Sequence, residues 1–104
     1  MKWKREGEIT HPLVHLNGTS REALTTANID ASSAIRGAIR VLEAAEPNAR
    51  DYYPLGPDAW TAARAEHVSR IERLRDVLAE VYAIVEVLSD GDDRSRAVTA
   101  PDRE

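Results

Sequence analysis

The chain has 104 residues, a formal net charge of -4 and no cysteine. This length predicts one domain. The excess of acidic over basic residues argues against general nucleic-acid binding, which depends on a basic surface that displaces counterions from phosphates. The lack of cysteine excludes a disulfide framework, a thiolate zinc site and a cysteine nucleophile.

No apolar run approaches the ~20 residues that a membrane-spanning helix needs. The first residues, MKWKREGE, lack the apolar core of a signal peptide. The sequence therefore predicts a cytoplasmic protein without a membrane segment.

Glycine and proline cluster at three places and leave two long uninterrupted segments between them. The first segment predicts a helix from about Ser20 to Glu46, with Thr19 as N-cap in a capping box with Glu22 and with Pro47 ending the helix. Its predicted seam repeats alternately every four and three residues, the period of a helix packed along another helix. The seam residues are Leu24, Asn28, Ala31, Ile35, Ala38, Leu42 and Ala45.

The second segment predicts a helix from about Asp58 to Ser89, with Asp58 as a candidate N-cap. Its predicted seam is Trp60, Arg64, His67, Ile71, Leu74, Leu78, Val81, Val85 and Leu88. Between Val77 and Leu88 apolar side chains surround this helix, and a helix that is apolar all round is buried all round. One neighbouring helix cannot cover such a surface, so we expect a partner subunit to cover the rest.

These elements predict an all-α fold: two long antiparallel helices forming a helical hairpin, with an extended N-terminal arm at residues 8–18, assembled as a homo-oligomer. Residues 1–89 form a single domain, in which residues 47–57 are the loop between the helices. The segment 90–104 has too little apolar content to fold, and we expect a disordered acidic tail there.

The arm carries a first polar motif, which contains His11, His15, Asn17, Gly18 and Thr19. A helix N-terminus offers unpaired backbone N–H groups and the positive end of the helix dipole, and Gly18 allows a phosphate to approach the backbone. Arg21, His11 and His15 are suited to add charge or stacking. The alternative is a plain loop-to-helix cap, for which Asn-Gly-Thr-Ser is equally suitable.

The loop 47–57 carries a second motif and is longer than a minimal hairpin connection. Tyr52, Tyr53 and the nearby Trp60 are suited to stack on a base, and Arg50 to meet a phosphate bidentately. In the alternative, the aromatic residues plug the open end of the hairpin and Arg50 pairs with a carboxylate.

The two motifs are predicted at opposite ends of the hairpin, roughly 40 Å apart at 1.5 Å per helical residue. One chain cannot bring them together, whereas an antiparallel homo-oligomer places the arm of one subunit beside the loop of another. Arg64 and His67 lie on the seam near the loop, where they either line this pocket or set the helix register.

The sequence lacks the residue combinations that catalysis requires, such as a nucleophile beside a base or a carboxylate pair. The spacing of His11 and His15 does not make a metal site, because Pro12 disfavours a regular helix through it. There is no phosphate-binding or dinucleotide-binding glycine motif. We therefore expect no enzyme, no metal and no cofactor.

The segments HPLVHLNGTSREAL and PNARDYYPLGPDAW resemble a group of small proteins encoded by tailed phages, in which an HLNGTS arm and an N-R-DYY-P-G loop flank a helical hairpin. The resemblance covers about residues 10 to 88. In architecture the chain is similar to phage anti-CBASS and anti-Thoeris sponge proteins, helical oligomers that sequester cyclic nucleotide immune signals. This second similarity is an analogy of shape. Together they imply a phage protein in the host cytoplasm.

Two functional interpretations follow. In the first, the protein sequesters a cyclic dinucleotide or cyclic ADP-ribose derivative at subunit interfaces without cleaving it, and so inhibits host anti-phage defence. In the second, it is a structural or protein-interaction hairpin with no small-molecule ligand. The ligand candidates of the first are His11, His15, Asn17, Gly18, Thr19, Arg50, Tyr52, Tyr53, Trp60, Arg64 and His67.

Overall fold

The computed structural model describes residues 9–90, and within that range the chain is helical and contains no strand. The two long helices are α1, Arg21–Ala44, and α2, Pro57–Ser89. Two 3₁₀ turns, Ala49–Asp51 and Tyr53–Leu55, lie in the segment that joins them. The predicted all-α class and the helix–loop–helix order of a hairpin are confirmed. Most of the predicted tail lies outside the described residues.

The N-terminus of α1 is one residue later than predicted. The hydroxyl of Ser20, not Thr19, is the side-chain cap, since Ser20 Oγ accepts from the N–H of Ala23 at 3.1 Å. Ser20 O also accepts from the N–H of Leu24 at 3.0 Å. Thr and Ser are both good caps. The sequence alone therefore does not determine which of the two adjacent residues caps the helix, and the geometry of the turn before α1 does.

The N-terminus of α2 also differs from the prediction. Asp58 is not the N-cap but lies within the first turn, where a negative charge is favourable because of the helix dipole. Pro57 is the first helical residue, a position that needs no N–H donor. Gly56, just before it, has φ of 117°, a backbone conformation that other residues rarely adopt.

The described residues fall into two units along the paired helices. The first unit comprises residues 9–33 and 79–90. Its most buried side chain is Leu88, which is 1% exposed. Ser32 is also buried, and its hydroxyl donates to the carbonyl oxygen of Ile29 at 2.8 Å, so this polar group is satisfied within its own helix.

The second unit is Ala34–Leu78. Its buried side chains are Ile39 and His67. Arg75 of α2 forms an ion pair with Glu43 of α1, and this contact joins residues that are 32 positions apart in the sequence. The segments of α1 and α2 in this unit therefore lie side by side.

The predicted seam of α1 is correct at some positions and wrong at others. Asn28, Ile35 and Leu42 are at least half-buried, but Ala31, Ala38 and Ala45 are exposed, and the buried positions beside them are Ser32 and Ile39. An alanine removes little apolar surface from water, so the helix turns the larger isoleucine inward instead.

The seam of α2 follows the prediction more closely. Its predicted members are all buried or half-buried except Arg64, which is exposed. The aliphatic side chains of this seam are large, and large apolar side chains decide which face of a helix is buried.

The interior is small. In the part of the chain that the structure describes, Ile39 and Leu88 are the buried apolar side chains. Large apolar residues on both helices are exposed, among them Ile29, Val41, Val68 and Val77. Neither described helix has the apolar stretch that crossing a bilayer would require.

Candidate functional site

The loop between the helices is held by local hydrogen bonds. Asn48 caps the first 3₁₀ turn, since its Oδ1 accepts from the N–H of Arg50 at 2.9 Å. The backbone N–H groups of Tyr52 and Gly56 close the two turns by donating to the carbonyl oxygens of Ala49 and Tyr53, both at 3.0 Å. Consecutive closed turns make this loop a fixed scaffold for its side chains.

Trp60 connects the loop to α2. Its indole N–H donates to the carbonyl oxygen of Pro47 at 3.4 Å, a contact across 13 residues. The guanidinium carbon of Arg64 lies 5.6 Å from the centre of the indole ring, which is the geometry of a cation–π contact. Trp60 is half-buried, and its hydrogen bond to Pro47 ties the loop to the first turn of α2.

His67 lies on the seam of α2, two turns after Trp60. Its side chain is 6% exposed, and Nε2 is buried without a hydrogen-bond partner. A buried polar atom without a partner is uncommon and costs stability. Of the two predicted roles for His67, this burial favours the seam over the wall of an open pocket.

Tyr53 and Arg50 behave differently from Trp60. The side chain of Tyr53 is 71% exposed, and Arg50 is exposed as well, whereas Tyr52 is half-buried. Leu55, in the same turn as Tyr53, is 75% exposed. The loop therefore divides into residues that face inward, Tyr52 and Trp60, and residues that it displays to solvent.

The arm motif lies in the first unit, on a turn before α1. The N–H of Gly18 donates to the carbonyl oxygen of His15 at 3.1 Å. The imidazole of His15 occupies the space beside Gly18, since a Cβ built on that glycine would lie 2.7 Å from Nε2. Asn17 and Thr19 are exposed, and His11 is half-buried.

The eleven predicted ligand residues thus separate into two groups. His11, His15, Asn17, Gly18 and Thr19 belong to the first unit. Arg50, Tyr52, Tyr53, Trp60, Arg64 and His67 belong to the second. Each group contains both exposed and covered side chains.

The sequence indicates Arg21 as a source of charge for the arm motif, but sequence reasoning missed its contact with α2. Its guanidinium donates to the carbonyl oxygen of Leu88, close to the C-terminus of α2. Helix C-termini leave carbonyl oxygens without intrahelical partners, and a cation there also meets the negative end of the dipole. The signal was the predicted antiparallel pairing, which places the first turn of one helix beside the last turns of the other.

Two surface depressions lie in the first unit. One, of about 530 Å³, is lined by Arg21, Glu22, Thr25, Thr26, Leu88 and Ser89. The other, of about 510 Å³, is lined by Ser20, Glu22, Ala23, Thr26, Ala27 and Asp30. Neither contains a predicted ligand residue.

Residues 9–90 contain no group of three or more histidine, aspartate or glutamate side chains arranged to hold a metal ion. Comparisons with protein-family models, with curated proteins and with solved structures find no match to this chain. The class that its described residues define is an all-α protein with two long helices.

Proposed function

We propose that this protein is a homo-oligomeric helical hairpin that captures a small phosphorylated nucleotide and does no chemistry on it. The ligand class is a cyclic dinucleotide or a cyclic ADP-ribose derivative. The observation that carries the proposal is the display of Tyr53 and Arg50 on a loop of two closed 3₁₀ turns.

An aromatic plug is expected to be covered, and Tyr53 is not. Exposing a large aromatic ring to water has a cost, so its display supports a role in binding. Aromatic rings stack on nucleobases, and arginine binds phosphate through two parallel hydrogen bonds. Tyr53 and Arg50 therefore supply the two interactions that a phosphorylated nucleotide needs.

The fixed loop supports tight binding. Three prolines, Pro47, Pro54 and Pro57, restrict its backbone, and the cap of Asn48 and the indole of Trp60 hold it at two further points. A site that is ordered before the ligand arrives loses less conformational entropy on binding. In this proposal Tyr52, Trp60 and Arg64 support the site and contribute the edges of its wall.

The arm supplies the remaining contacts from a second subunit. The N–H of Gly18 is taken up by His15 O, so in this proposal the phosphate meets the exposed backbone at Thr19, near the N-terminus of α1, and His15 and Asn17 meet a ribose or base edge. This arrangement needs an antiparallel homo-oligomer. The small buried interior and the exposed valines of both helices support such an assembly, because exposed apolar surface is where subunits associate.

The biological role we propose is sequestration of an immune signal by a phage protein in the cytoplasm of its host. Sequestration requires affinity and abundance but no catalytic group. The resemblance of the two motifs to tailed-phage proteins supports a phage origin, and the analogy of shape with sponge proteins supports sequestration.

Calorimetry against a panel of cyclic dinucleotides and cyclic ADP-ribose derivatives tests the proposal. We expect binding by the full chain, and loss of binding in Tyr53→Ala and Arg50→Ala with an unchanged melting temperature. The matched control is Tyr52→Ala, which should lower the melting temperature because that ring is half-buried. Binding weaker than millimolar across the panel would refute nucleotide capture.

One observation favours the second candidate function, a protein-interaction hairpin. Leu55 is 75% exposed in the same turn as Tyr53, so an apolar and an aromatic side chain are displayed together, and exposed apolar surface of this kind is used in protein interactions. Calorimetry of the unaltered chain separates the two functions, because a protein-binding loop predicts no nucleotide affinity. If the nucleotide does bind, nucleotide capture predicts that Leu55→Ala leaves its affinity unchanged.

A further inference from the structure

The turn before α1 carries an asparagine that is followed directly by a glycine. Asn17 and Gly18 are both exposed. The chain has three asparagines, at positions 17, 28 and 48, and Asn17 alone precedes a glycine. Glycine has no side chain to block approach to its nitrogen, and its backbone reaches conformations that other residues avoid.

An imidazole lies next to this pair. A Cβ built on Gly18 would be 2.7 Å from His15 Nε2 and 3.1 Å from each of the two ring carbons beside it. The ring therefore fills the space that a side chain at position 18 would take, with a nitrogen as its nearest atom. Imidazoles accept and release protons near neutral pH.

We propose that Asn17–Gly18 is a self-modification site, at which Asn17 is converted to aspartate and isoaspartate and His15 relays the proton. The Gly18 nitrogen gives its proton to the imidazole and attacks Asn17 Cγ. The N–Cγ bond forms, the Cγ–Nδ2 bond breaks, and the side-chain nitrogen leaves as ammonia with the proton that the imidazole returns.

The cyclic imide formed in this way is opened by water. Addition at Cγ breaks the new bond and gives aspartate, while addition at the backbone carbonyl of Asn17 gives isoaspartate. Water is the only co-reactant, and nothing is oxidised or reduced.

One hydrogen bond opposes the attack. The N–H of Gly18 donates to His15 O at 3.1 Å, so the turn has to open before the nitrogen reaches Cγ. A single hydrogen bond of this kind contributes little net stability, and an exposed turn opens far more often than a helix does.

The other two asparagines are held away from this reaction and serve as internal controls. Asn28 lies within α1, where its Nδ2 donates to the carbonyl oxygen of Leu24 at 2.9 Å and the next residue is the β-branched Ile29. Asn48 is a cap whose Oδ1 accepts from the N–H of Arg50 at 2.9 Å, and Ala49 follows it.

The conversion places a carboxylate just before the N-terminus of α1, and the isoaspartate form adds a carbon to the backbone of the turn. The modification does not require nucleotide binding, because it depends only on the residues of the turn. If the arm binds phosphate as proposed, the new carboxylate also weakens that binding by repulsion.

Incubation of the full chain at neutral pH and physiological temperature, followed by peptide mapping and an isoaspartate assay, tests the inference. We expect Asn17 to convert first while Asn28 and Asn48 remain amides. Asn17→Gln should abolish the product at this turn.

Two variants test the roles of the neighbours. His15→Phe keeps a ring beside Gly18 but cannot relay a proton, and we expect slower conversion with an unchanged circular dichroism spectrum. Gly18→Ala should slow it further, because its methyl group hinders the nitrogen and displaces the imidazole from the space that it fills. An Asn17 that persists as long as Asn48 would overturn the inference, and equal rates in His15→Phe and the unaltered chain would overturn the role of His15.

Discussion

Arg21 contacts α2 across 67 positions of sequence, where its guanidinium meets the carbonyl oxygen of Leu88. Most other side-chain hydrogen bonds described above are local, such as those of Asn28 and Ser32 within α1. A local bond supports one helix, whereas the bond of Arg21 supports the pairing of two. At the scale of single residues, this guanidinium is therefore the contact whose loss should matter most.

We expect Arg21→Met to lower the free energy of unfolding by about 1–2 kcal/mol, because a charge-assisted hydrogen bond to a helix C-terminus is lost. The midpoint of urea unfolding measures this. Arg73→Met is the matched control, since Arg73 donates only to Ser69 O in its own helix and is exposed. Equal midpoints for the two variants would contradict the prediction.

His67 gives a second prediction at this scale. Its Nε2 is buried without a partner, so replacing the imidazole by an apolar side chain of similar size removes a cost. We expect His67→Leu to keep or raise the free energy of unfolding by up to ~1 kcal/mol. His67→Ala should lower it by about 2 kcal/mol or more, because it leaves a cavity.

The outcome also reports on water. Urea unfolding measures both variants. A clear loss of stability in His67→Leu would mean that Nε2 has a hydrogen-bond partner in solution, such as water, and that the imidazole stabilises the seam.

At the scale of the elements, replacing two of the glycines by alanine should have opposite effects on stability. Gly56 ends the loop with φ of 117° and has no atom within 4 Å of the Cβ position, so an alanine there meets only backbone strain. Gly37 lies within α1, and the nearest atom to its Cβ position is Arg40 Nη2 at 3.7 Å. An alanine at position 37 therefore fits without strain.

We expect Gly56→Ala to cost about 1–2 kcal/mol through its backbone conformation. Gly37→Ala should stabilise the protein by about 0.5–1 kcal/mol through helix propensity. Thermal melts of the two single variants measure both effects. Two shifts in the same direction would show that this account of the loop is wrong.

The elements also show what the sequence can and cannot predict. Both long helices are confirmed to within two residues at each end, because proline and glycine mark their limits. The seam of α2 is confirmed where it is aliphatic. The seam of α1 was partly wrong, since alanines at three- and four-residue spacing look apolar but decide little about which face is buried.

The candidate site was harder to predict because the orientation of its side chains depends on the conformation of the loop. Tyr52 and Tyr53 are identical in type and adjacent in sequence, yet one is half-buried and the other is displayed. Their orientation depends on the two 3₁₀ turns, which no pattern of residue types specifies. The contact of Trp60 with Pro47 likewise depends on how the loop returns to α2.

At the scale of the whole molecule, the prediction concerns assembly. Few apolar side chains of residues 9–90 are buried, and such a small interior gives little stability. We expect light scattering to give a mass that is a multiple of the chain mass, and the melting temperature to rise with protein concentration.

Val77→Glu tests which surface assembles. Val77 is exposed near the start of the stretch that we expect a partner to cover, and a charge there should dissociate the assembly while leaving the helix content unchanged. Arg70→Glu is the control, because Arg70 lies on an exposed, charge-mixed face where it contacts Glu66. A monomer in the unaltered chain would exclude the proposed intersubunit site.

The bond between Arg21 and Leu88 also has a consequence for local motion. Helix ends normally fray independently, each at its own rate. Here the start of α1 and the end of α2 share one bond, so amide hydrogens in both ends should exchange with solvent in a single opening event. The first turn of α1 and the last turn of α2 would then open and close together as one cooperative unit.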